Sequence, residues 1–221
     1  MLKLYHHPVS FNSRRVWVAL LEKSIEFELV PLNLDGDQLR PEFLAINPFH
    51  HIPVLEDDGF PVIESLAILD YIEAKYPEPA MLPAGARDIA LVRMVEMVAV
   101  NELLPAMNPL IGQSMGFSPT DAEKLRQAKE KLATVLAFLE RQLGERPYFG
   151  AEHITLADLV AGTAVPWLPS LGLPLDDFPK LSAWCSRLTE RPSWQKTHPT
   201  PEIIDAFKSR MKERMAAREK V

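Results

Sequence analysis

The segment spanning residues 47–65 constrains the fold of this chain more than any other part, because two short apolar runs flank a tight turn in it. The turn contains Asp58-Gly59, a pair typical of β-hairpins. Pro53 opens the first run, and a proline, which lacks an N–H, is confined to the start or edge of a strand. The second run ends at Glu64-Ser65, which suits a helix start. The segment therefore predicts a hairpin that leads directly into a helix.

The same segment offers a place where a short extended peptide with an acidic end can dock. The chain is extended before Pro53, so the N–H and C=O of Ile52 stay available to another backbone. Ser65 adds a hydroxyl, free helix N–H groups and the positive end of a helix dipole, which together suit a carboxylate. We therefore expect a peptide-binding edge between Ile52 and Ser65.

Composition sets the class of protein. The 221 residues are 47% hydrophobic and 24% charged, which is ordinary for a globular protein and leaves room for two domains. The net charge of −6 argues against nucleic acid as a main partner. Cys185 is the single cysteine, so we expect no disulfide framework and a core position for its side chain. Neither a membrane-spanning run nor a signal peptide is evident, so we expect no membrane partner and a cytoplasmic location.

The pattern of elements divides the chain. Before Pro77 the order is strand, helix, strand, helix, strand, strand and helix, which predicts a compact α/β domain with a mixed sheet at residues 1–77. Prolines and a glycine predict a linker at residues 78–86. No convincing strand follows, so residues 87–221 are predicted to form an all-α domain.

Local patterns support helices in the second domain. Thr155-Leu156-Ala157-Asp158 resembles a capping box, with Asp in place of the usual Glu. The closing stretch, residues 204–220, mixes basic and acidic residues and predicts a charged helix with a solvated polar face. An apolar stripe with steps of three and four residues comprises Leu125, Ala128, Leu132, Val135, Leu136, Leu139 and Leu143.

Together with these features, several motifs make the whole chain resemble a cytosolic glutathione S-transferase, most closely the serine-type, theta- and phi-like classes. The motifs are Leu4-Tyr5, Pro8-Val9-Ser10-Phe11-Asn12-Ser13-Arg14-Arg15-Val16, Asn47-Pro48-Phe49, Ile52-Pro53-Val54-Leu55, Glu64-Ser65-Leu66-Ala67-Ile68-Leu69 and Tyr71-Ile72. The resemblance implies a thioredoxin-like first domain with a mixed four-stranded sheet, a cis bond before Pro53, and an all-α second domain. It also implies glutathione as co-substrate without a cofactor, conjugation to small apolar electrophiles, and a two-fold homodimer.

The resemblance also implies glutathione contacts within the segment already singled out. Ile52 would pair its backbone with the cysteinyl backbone of glutathione, beside Pro53. Glu64 and Ser65 would hold the γ-glutamyl end. His51 is expected to offer a ring N–H to a carboxylate of the ligand.

The glycyl end of the expected site departs from the family pattern. Leu39 stands where phi-like enzymes place a basic residue for the glycyl carboxylate. Arg40 and Gln38 are the alternatives for that role. His50-His51 replaces the frequent Gly-Gln or Gly-Lys pair of the family.

The glutathione thiol needs a donor, because the thiolate is the nucleophile and a free cysteine thiol has a pKa of about 8.5. Ser10 stands just before the first helix, where a hydroxyl and a helix N-terminus can both stabilise a thiolate. Ser13 is the chief rival, and Tyr5 is a weaker one. Asn12 is interpreted as a second donor or as a helix cap.

The remaining candidate residues leave alternatives open. Arg14 and Arg15 suit a ligand carboxylate, a structural acid or a solvated helix face. His6 and His7 are expected to line a polar loop, and His50-His51 adds no third ligand type, so we expect no metal site. The apolar wall for an electrophile is predicted to comprise Phe11, Met107, Ile111, Phe117 and Trp167, although core packing explains most of them equally well.

Two other functions compete with conjugation. The fold also serves non-catalytic binding or interaction proteins, since fold alone does not fix function. A glutathione-dependent isomerase or peroxidase is the second alternative. No cysteine lies between Tyr5 and Arg15, which disfavours the glutaredoxin-like or omega-type chemistry that requires a cysteine at the thiol site.

Overall fold

A computed structural model describes residues 1–117 and 121–218. The chain forms two compact units: one combines Met1–Pro79 with Ser193–Val221, and the other is Ala80–Pro192. The sequence assigned the C-terminal segment to the helical domain, whereas the structure packs it with the α/β unit. No helix in residues 1–117 and 121–218 is long and apolar enough to cross a membrane.

The first unit is built on a mixed four-stranded sheet with the order β2-β1-β3-β4. The strands are β1 (Leu2–His6), β2 (Phe27–Pro31), β3 (Val54–Asp57) and β4 (Phe60–Ile63). β1 pairs in parallel with β2 and antiparallel with β3, and β3 pairs antiparallel with β4. The sheet confirms the predicted thioredoxin-like architecture, and the hairpin turns at Asp58-Gly59, as expected.

Helices cover this sheet and close its core. They are α1 (Phe11–Glu22), α2 (Pro41–Ile46) and α3 (Ser65–Lys75), with a 3-10 turn at Asp37–Leu39. The core residues alternate along β1, occupy the first two positions of β3, and recur at helical spacing on α1 and α3. They include Leu2, Leu4, Val16, Leu20, Val54, Leu55, Ile68, Leu69 and Ile72, all buried. The hydrophobic pattern thus fixes α1 and α3 against the sheet.

The second unit is helical. Its helices are α4 (Ala86–Val98), α5 (Leu104–Met115), α6 (Ala122–Leu143), α7 (Leu156–Gly162) and α8 (Pro179–Thr189), and a π-helical turn at Ala99–Leu103 joins α4 to α5. The predicted stripe of α6 is buried from Ala128 to Leu143, whereas Leu125 is half-buried. Cys185 is buried, as predicted, and this burial raises the pKa of its thiol to about 12.

A buried carboxylate organises the second unit. Asp158 completes the predicted capping box at the start of α7, where its Oδ2 accepts the Thr155 N–H at 2.8 Å. The other oxygen of Asp158, Oδ1, accepts the Phe149 N–H at 3.1 Å and the Trp184 Nε1–H at 2.8 Å. Burial raises the pKa of Asp158 to about 6, whereas these donors favour the charged form. One side chain therefore joins α7, α8 and the preceding loop.

The C-terminal segment closes the first unit through α9 (Pro192–Thr197) and α10 (Pro201–Arg218). Arg14 of α1 donates to the Trp194 carbonyl and the Thr197 hydroxyl, each at 3.2 Å. Trp194 is buried. These contacts explain why the last helices belong with the α/β unit, although they follow the helical unit in sequence.

Replacing Asp158 is expected to destabilise the chain sharply. Asp158→Ala strands the three donors from Thr155, Phe149 and Trp184 in a dry interior, so we expect a loss of at least about 3 kcal/mol in the free energy of unfolding. Urea unfolding followed by circular dichroism measures this loss. The matched control is Asp177→Ala, because Asp177 is exposed. Equal stability of the two variants would show that the Asp158 carboxylate contributes little to the free energy of unfolding.

Candidate active site

A cavity of about 340 Å³ lies within the first unit, where the start of α1, the β2–α2 loop, the loop before β3 and the start of α3 meet. Its lining residues are Asn12, Leu34, Gln38, Asn47, His50, His51, Ile52, Pro53, Glu64 and Ser65. The structure therefore brings together six residues that were predicted as site residues from sequence: Asn12, His51, Ile52, Pro53, Glu64 and Ser65.

The backbone at Ile52 is free for a ligand, as the sequence predicted. The Ile52–Pro53 bond is cis, as the family resemblance implied. β3 begins at Val54, so Ile52 lies ahead of the sheet ladder and makes no hydrogen bond to the described residues. An extended ligand backbone can therefore pair with Ile52 in the manner of an added strand.

Asn47 shapes the loop that precedes Ile52, a role that the sequence reasoning missed. The side chain is buried, and its Nδ2 donates to the His51 carbonyl at 2.7 Å. Its Oδ1 accepts the Phe49 N–H at 3.0 Å. His50 between them has a φ of 49°, which is unusual for a non-glycine residue. The signal available in sequence was the Asn-Pro pair, since Asn side chains commonly bond the backbone of turns.

Glu64 and Ser65 form a polar corner of the cavity. Glu64 is the residue before α3 and has φ 66° and ψ 117°, a sparsely populated conformation that costs about 1–3 kcal/mol. Its side chain is exposed, whereas Ser65 is buried at the first position of α3. The first N–H groups of a helix have no partner within the helix, so this corner presents donors to an anion.

Arg15 places a positive charge behind this corner. The side chain is fully buried on α1, and its Nη1 donates to Ser65 Oγ at 3.3 Å. Arg14 is also buried, and this burial lowers the pKa of its guanidinium to about 10. The solvated helix face considered for both arginines is therefore wrong, because each is enclosed by the unit that it helps to assemble.

The candidate thiolate donors differ in accessibility. Ser10 is half-buried and caps α1, with its Oγ accepting the Ser13 N–H at 3.2 Å. Ser13 is fully buried, and its Oγ accepts the His7 N–H at 3.5 Å. Asn12 is exposed and lines the cavity, whereas neither serine is among the lining residues. Because Ser10 uses its oxygen as the cap acceptor, its O–H proton is left to donate.

The structure separates the two candidates for the glycyl end. Arg40 does not line the cavity: its side chain is 70% exposed, and its Nη2 pairs with the Asp37 carboxylate at 2.8 Å. Gln38 does line it, with a buried Oε1 that has no hydrogen-bond partner among the described residues. The residue that binds a glycyl carboxylate stays a prediction, but the structure places Gln38 rather than Arg40 in the cavity wall. The cause is the 3-10 turn at Asp37–Leu39, which directs successive side chains differently.

Comparisons with known proteins decide the family. The family model for the glutathione S-transferase N-terminal domain matches residues 4–80, and that for the C-terminal domain matches residues 88–192. The chain belongs to the glutathione S-transferase family. It is 35% identical over 207 residues to glutathione S-transferase F6 of Arabidopsis thaliana, covering 88% of this chain and 98% of the relative.

Solved structures of glutathione transferases agree in fold. Glutathione transferase F7 from Populus trichocarpa superposes with a TM-score of 0.78 at 31% identity, covering 89% of this chain and 97% of its own. A delta-class glutathione transferase from Nilaparvata lugens gives a TM-score of 0.81 at 26% identity, covering 97% of this chain and all of its own. The chain is thus an enzyme of a family that uses glutathione as co-substrate.

The apolar residues predicted for an electrophile site are spread over the chain. Phe11 belongs to the first unit of this glutathione S-transferase, whereas Met107, Ile111, Phe117 and Trp167 belong to the second. Met107 is fully buried, so it serves the core of the helical unit. The other four are half-buried, and their role toward a substrate stays a prediction.

His6 and His7 of the transferase pack against aromatic side chains. His6 and His7 are buried, which corrects the expectation that they line a polar loop. The His6 ring packs edge-on against Trp17, and the His7 ring lies 5.3 Å from that of Phe207. Within residues 1–117 and 121–218, no group of three or more His, Cys, Asp or Glu side chains is arranged to hold a metal ion.

The buried His6 is expected to make stability depend on acid pH. Burial lowers its pKa from 6.5 to about 4 in the folded chain. The unfolded chain therefore binds this proton first, and stability present above pH 6.5 is lost as the pH falls toward 4. Because one pKa unit corresponds to about 1.4 kcal/mol, the full loss in the free energy of unfolding is about 3 kcal/mol.

Urea unfolding at a series of pH values tests this dependence. His6→Asn removes the titrating group, so its stability should decline less steeply than that of the wild type over this pH range. The same substitution at the exposed His153 is the control. Parallel pH profiles for the wild type and His6→Asn would contradict the assignment.

Proposed function

We propose that this transferase conjugates the glutathione thiolate to small apolar electrophiles, with the Ser10 hydroxyl stabilising the thiolate in the manner of the serine-type, theta- and phi-like classes. The observation that carries the proposal is the cavity that joins the Ile52 backbone, the Glu64-Ser65 corner and the start of α1. Each of these features meets a different part of the glutathione molecule.

The extended backbone of glutathione fits the Ile52 edge. Ile52 offers one N–H and one C=O, which match the C=O and N–H of the cysteinyl residue. Pairing there places the peptide beside the residues that precede β3, as an added strand. The cysteinyl side chain then faces one side of the peptide, as alternate side chains of a strand do.

The charged ends of glutathione fit the two ends of the cavity. The γ-glutamyl α-carboxylate suits the Ser65 hydroxyl and the first N–H groups of α3, backed by the Arg15 guanidinium at 3.3 Å from Ser65 Oγ. The γ-glutamyl ammonium suits the Glu64 carboxylate. The glycyl carboxylate suits the amide nitrogen of Gln38 and the ring N–H of His51, both of which line the cavity.

Chemistry follows from holding the thiol near the start of α1. The hydroxyl of Ser10 and the free N–H groups of that helix stabilise a negative sulfur, which lowers the pKa of the bound thiol. The thiol loses its proton to solvent, and the thiolate attacks an electrophilic carbon. A C–S bond forms while the leaving group, for example chloride, departs with its electron pair.

Removing the Ser10 hydroxyl is expected to impair chemistry more than binding. Ser10→Ala should raise the pKa of bound glutathione by about one unit, equivalent to about 1.4 kcal/mol, and lower conjugation near neutral pH. The same change removes a helix cap worth about 1 kcal/mol, whereas glycine at that position costs only a few tenths. Ser10→Gly therefore separates loss of the donor from loss of the cap.

The thiolate absorbance near 240 nm, followed against pH, measures the pKa of bound glutathione. Ser13→Ala is the matched control, because Ser13 is fully buried and bonds the His7 backbone. Full activity of Ser10→Gly together with inactive Ser13→Ala would transfer the role to Ser13.

The γ-glutamyl contacts are expected to govern affinity. Glu64→Gln and Ser65→Ala should each weaken glutathione binding by about 1–3 kcal/mol, because a charged group of the ligand loses its partner. Isothermal titration measures this change, and Glu42→Gln, an exposed residue of α2, is the control. Wild-type affinity in both site variants would refute the assignment of this corner.

Two further expectations stay predictions. The family resemblance implies a two-fold homodimer, which light scattering of the purified chain tests. The second expectation is that conjugation prevails over the alternative of a glutathione-dependent isomerase or peroxidase, which a panel of halo-aromatic, isothiocyanate and hydroperoxide substrates tests.

A further inference from the structure

We propose that Arg210 and Arg214 of α10 are positioning residues for glutathione: they brace the β2–α2 loop, which carries Leu34 and Gln38 into the cavity. The inference rests on the proposed function for the identity of the ligand. It goes beyond that function because it assigns a binding role to a helix that makes no part of the cavity wall.

Two charged hydrogen bonds join α10 to the loop. Arg210 Nη1 donates to Asn33 Oδ1 at 2.7 Å, and Arg214 Nη1 donates to the Leu34 carbonyl at 2.7 Å. Residues four apart lie on one face of a helix, so both guanidinium groups reach consecutive loop residues from the same side. Charge-assisted bonds of this length are stronger than neutral ones. The bond from Arg214 is made to the backbone of a residue that lines the cavity.

A ring contact anchors the same face of α10 beneath the loop. The Phe207 ring lies 5.3 Å from the ring of His7, which is buried just after β1. Burial lowers the pKa of His7, Arg210 lowers it further, and Asp35 acts in the opposite direction. His7 therefore contacts α10 through a buried ring. The contacts at Phe207, Arg210 and Arg214 follow steps of three and four residues along α10.

The loop itself has few other restraints. Its internal bonds include those from the Asn33 N–H to Asp37 Oδ2 at 2.9 Å and from the Leu39 N–H to the Gly36 carbonyl at 2.8 Å. Arg40 adds a backbone bond at 3.2 Å and an ion pair at 2.8 Å, both to Asp37. These bonds close the loop on itself but do not fix it to the sheet. The Leu32 N–H bond to the His6 carbonyl, at 2.9 Å, ties only its beginning. Segments with few buried contacts open locally, so the bonds from α10 decide how often Leu34 and Gln38 are in place.

α10 lies beyond the residues that the two family domain models match. The C-terminal domain model ends at residue 192, whereas α10 begins at Pro201. The delta-class structure covers 97% of this chain. The unmatched part is shorter than the 18 residues of α10, so that match includes part of the helix. The loop that α10 contacts carries Gln38 to the glycyl end of the cavity, where this chain has Leu39 in place of a basic residue.

The double variant Arg210→Gln, Arg214→Gln tests the proposal. We expect the KM for glutathione to rise about tenfold, while kcat at saturating glutathione stays within about twofold, because only the loop and not the thiol end is released. Hydrogen exchange of the amides in residues 33–39 should accelerate without glutathione present. Lys212→Gln is the matched control, since Lys212 is exposed on the same helix. The Arg→Lys double variant should restore most of the affinity, because each bond uses a single nitrogen.

The outcomes separate this inference from the proposed function. A double variant with unchanged KM overturns the positioning role, whether or not exchange accelerates. If the glutamine and lysine double variants lose kcat and thermal stability to the same extent, α10 has only a structural role. This result would also overturn the positioning role. If the wild-type chain fails to bind glutathione in titration, the proposed function fails. If hydrogen exchange in residues 33–39 is then also the same in the double variant and the wild type, the contact between α10 and the loop has no bracing effect.

Discussion

Two adjacent buried guanidinium groups on α1 hold the first unit together. Arg15 reaches forward to Ser65 at the start of α3, and Arg14 reaches to Trp194 and Thr197 of α9. Burying a cation is expensive unless hydrogen bonds compensate for its lost hydration, so the segments that supply the acceptors must stay in place. The lowered pKa of Arg14 reflects this desolvation cost. The candidate site and the C-terminal helices thus share one structural support.

Local signals in the sequence predicted the part of the site that depends on backbone. Pro53 marks a strand start, Asp58-Gly59 a hairpin and Ser65 a helix start, and each acts within a few residues of itself. Because these signals occur in one segment of 19 residues, the geometry of the Ile52 edge follows from their order. The order of strands and helices predicted a mixed sheet, whereas its thioredoxin-like form was implied by the family resemblance.

The parts that the sequence did not reveal depend on contacts between distant residues. The burial of His7 requires Phe207, which lies two hundred positions away along the chain. Charges on α10 were interpreted as a solvated face, because nothing in their spacing shows that Arg210 and Arg214 meet carbonyl and amide oxygens of an irregular loop. The choice between Gln38 and Arg40 likewise depends on a single 3-10 turn: Gln38 lies within the turn and lines the cavity, whereas Arg40, two residues later, follows the turn and faces solvent.

The helix cap and the proposed thiolate contact of Ser10 do not compete, because they use different parts of one hydroxyl. As a helix cap, Ser10 needs only an oxygen lone pair, which accepts the Ser13 N–H. As a thiolate donor it needs only the proton, which the cap leaves unused. The cap also orients Oγ, so the hydroxyl has little freedom to lose when a thiolate arrives. The same reasoning extends to Glu64, whose strained backbone is retained where α3 begins. Both residues stand at helix starts, where unpaired N–H groups and the helix dipole already favour negative charge, as the thiolate and the γ-glutamyl carboxylate of the proposed glutathione complex require.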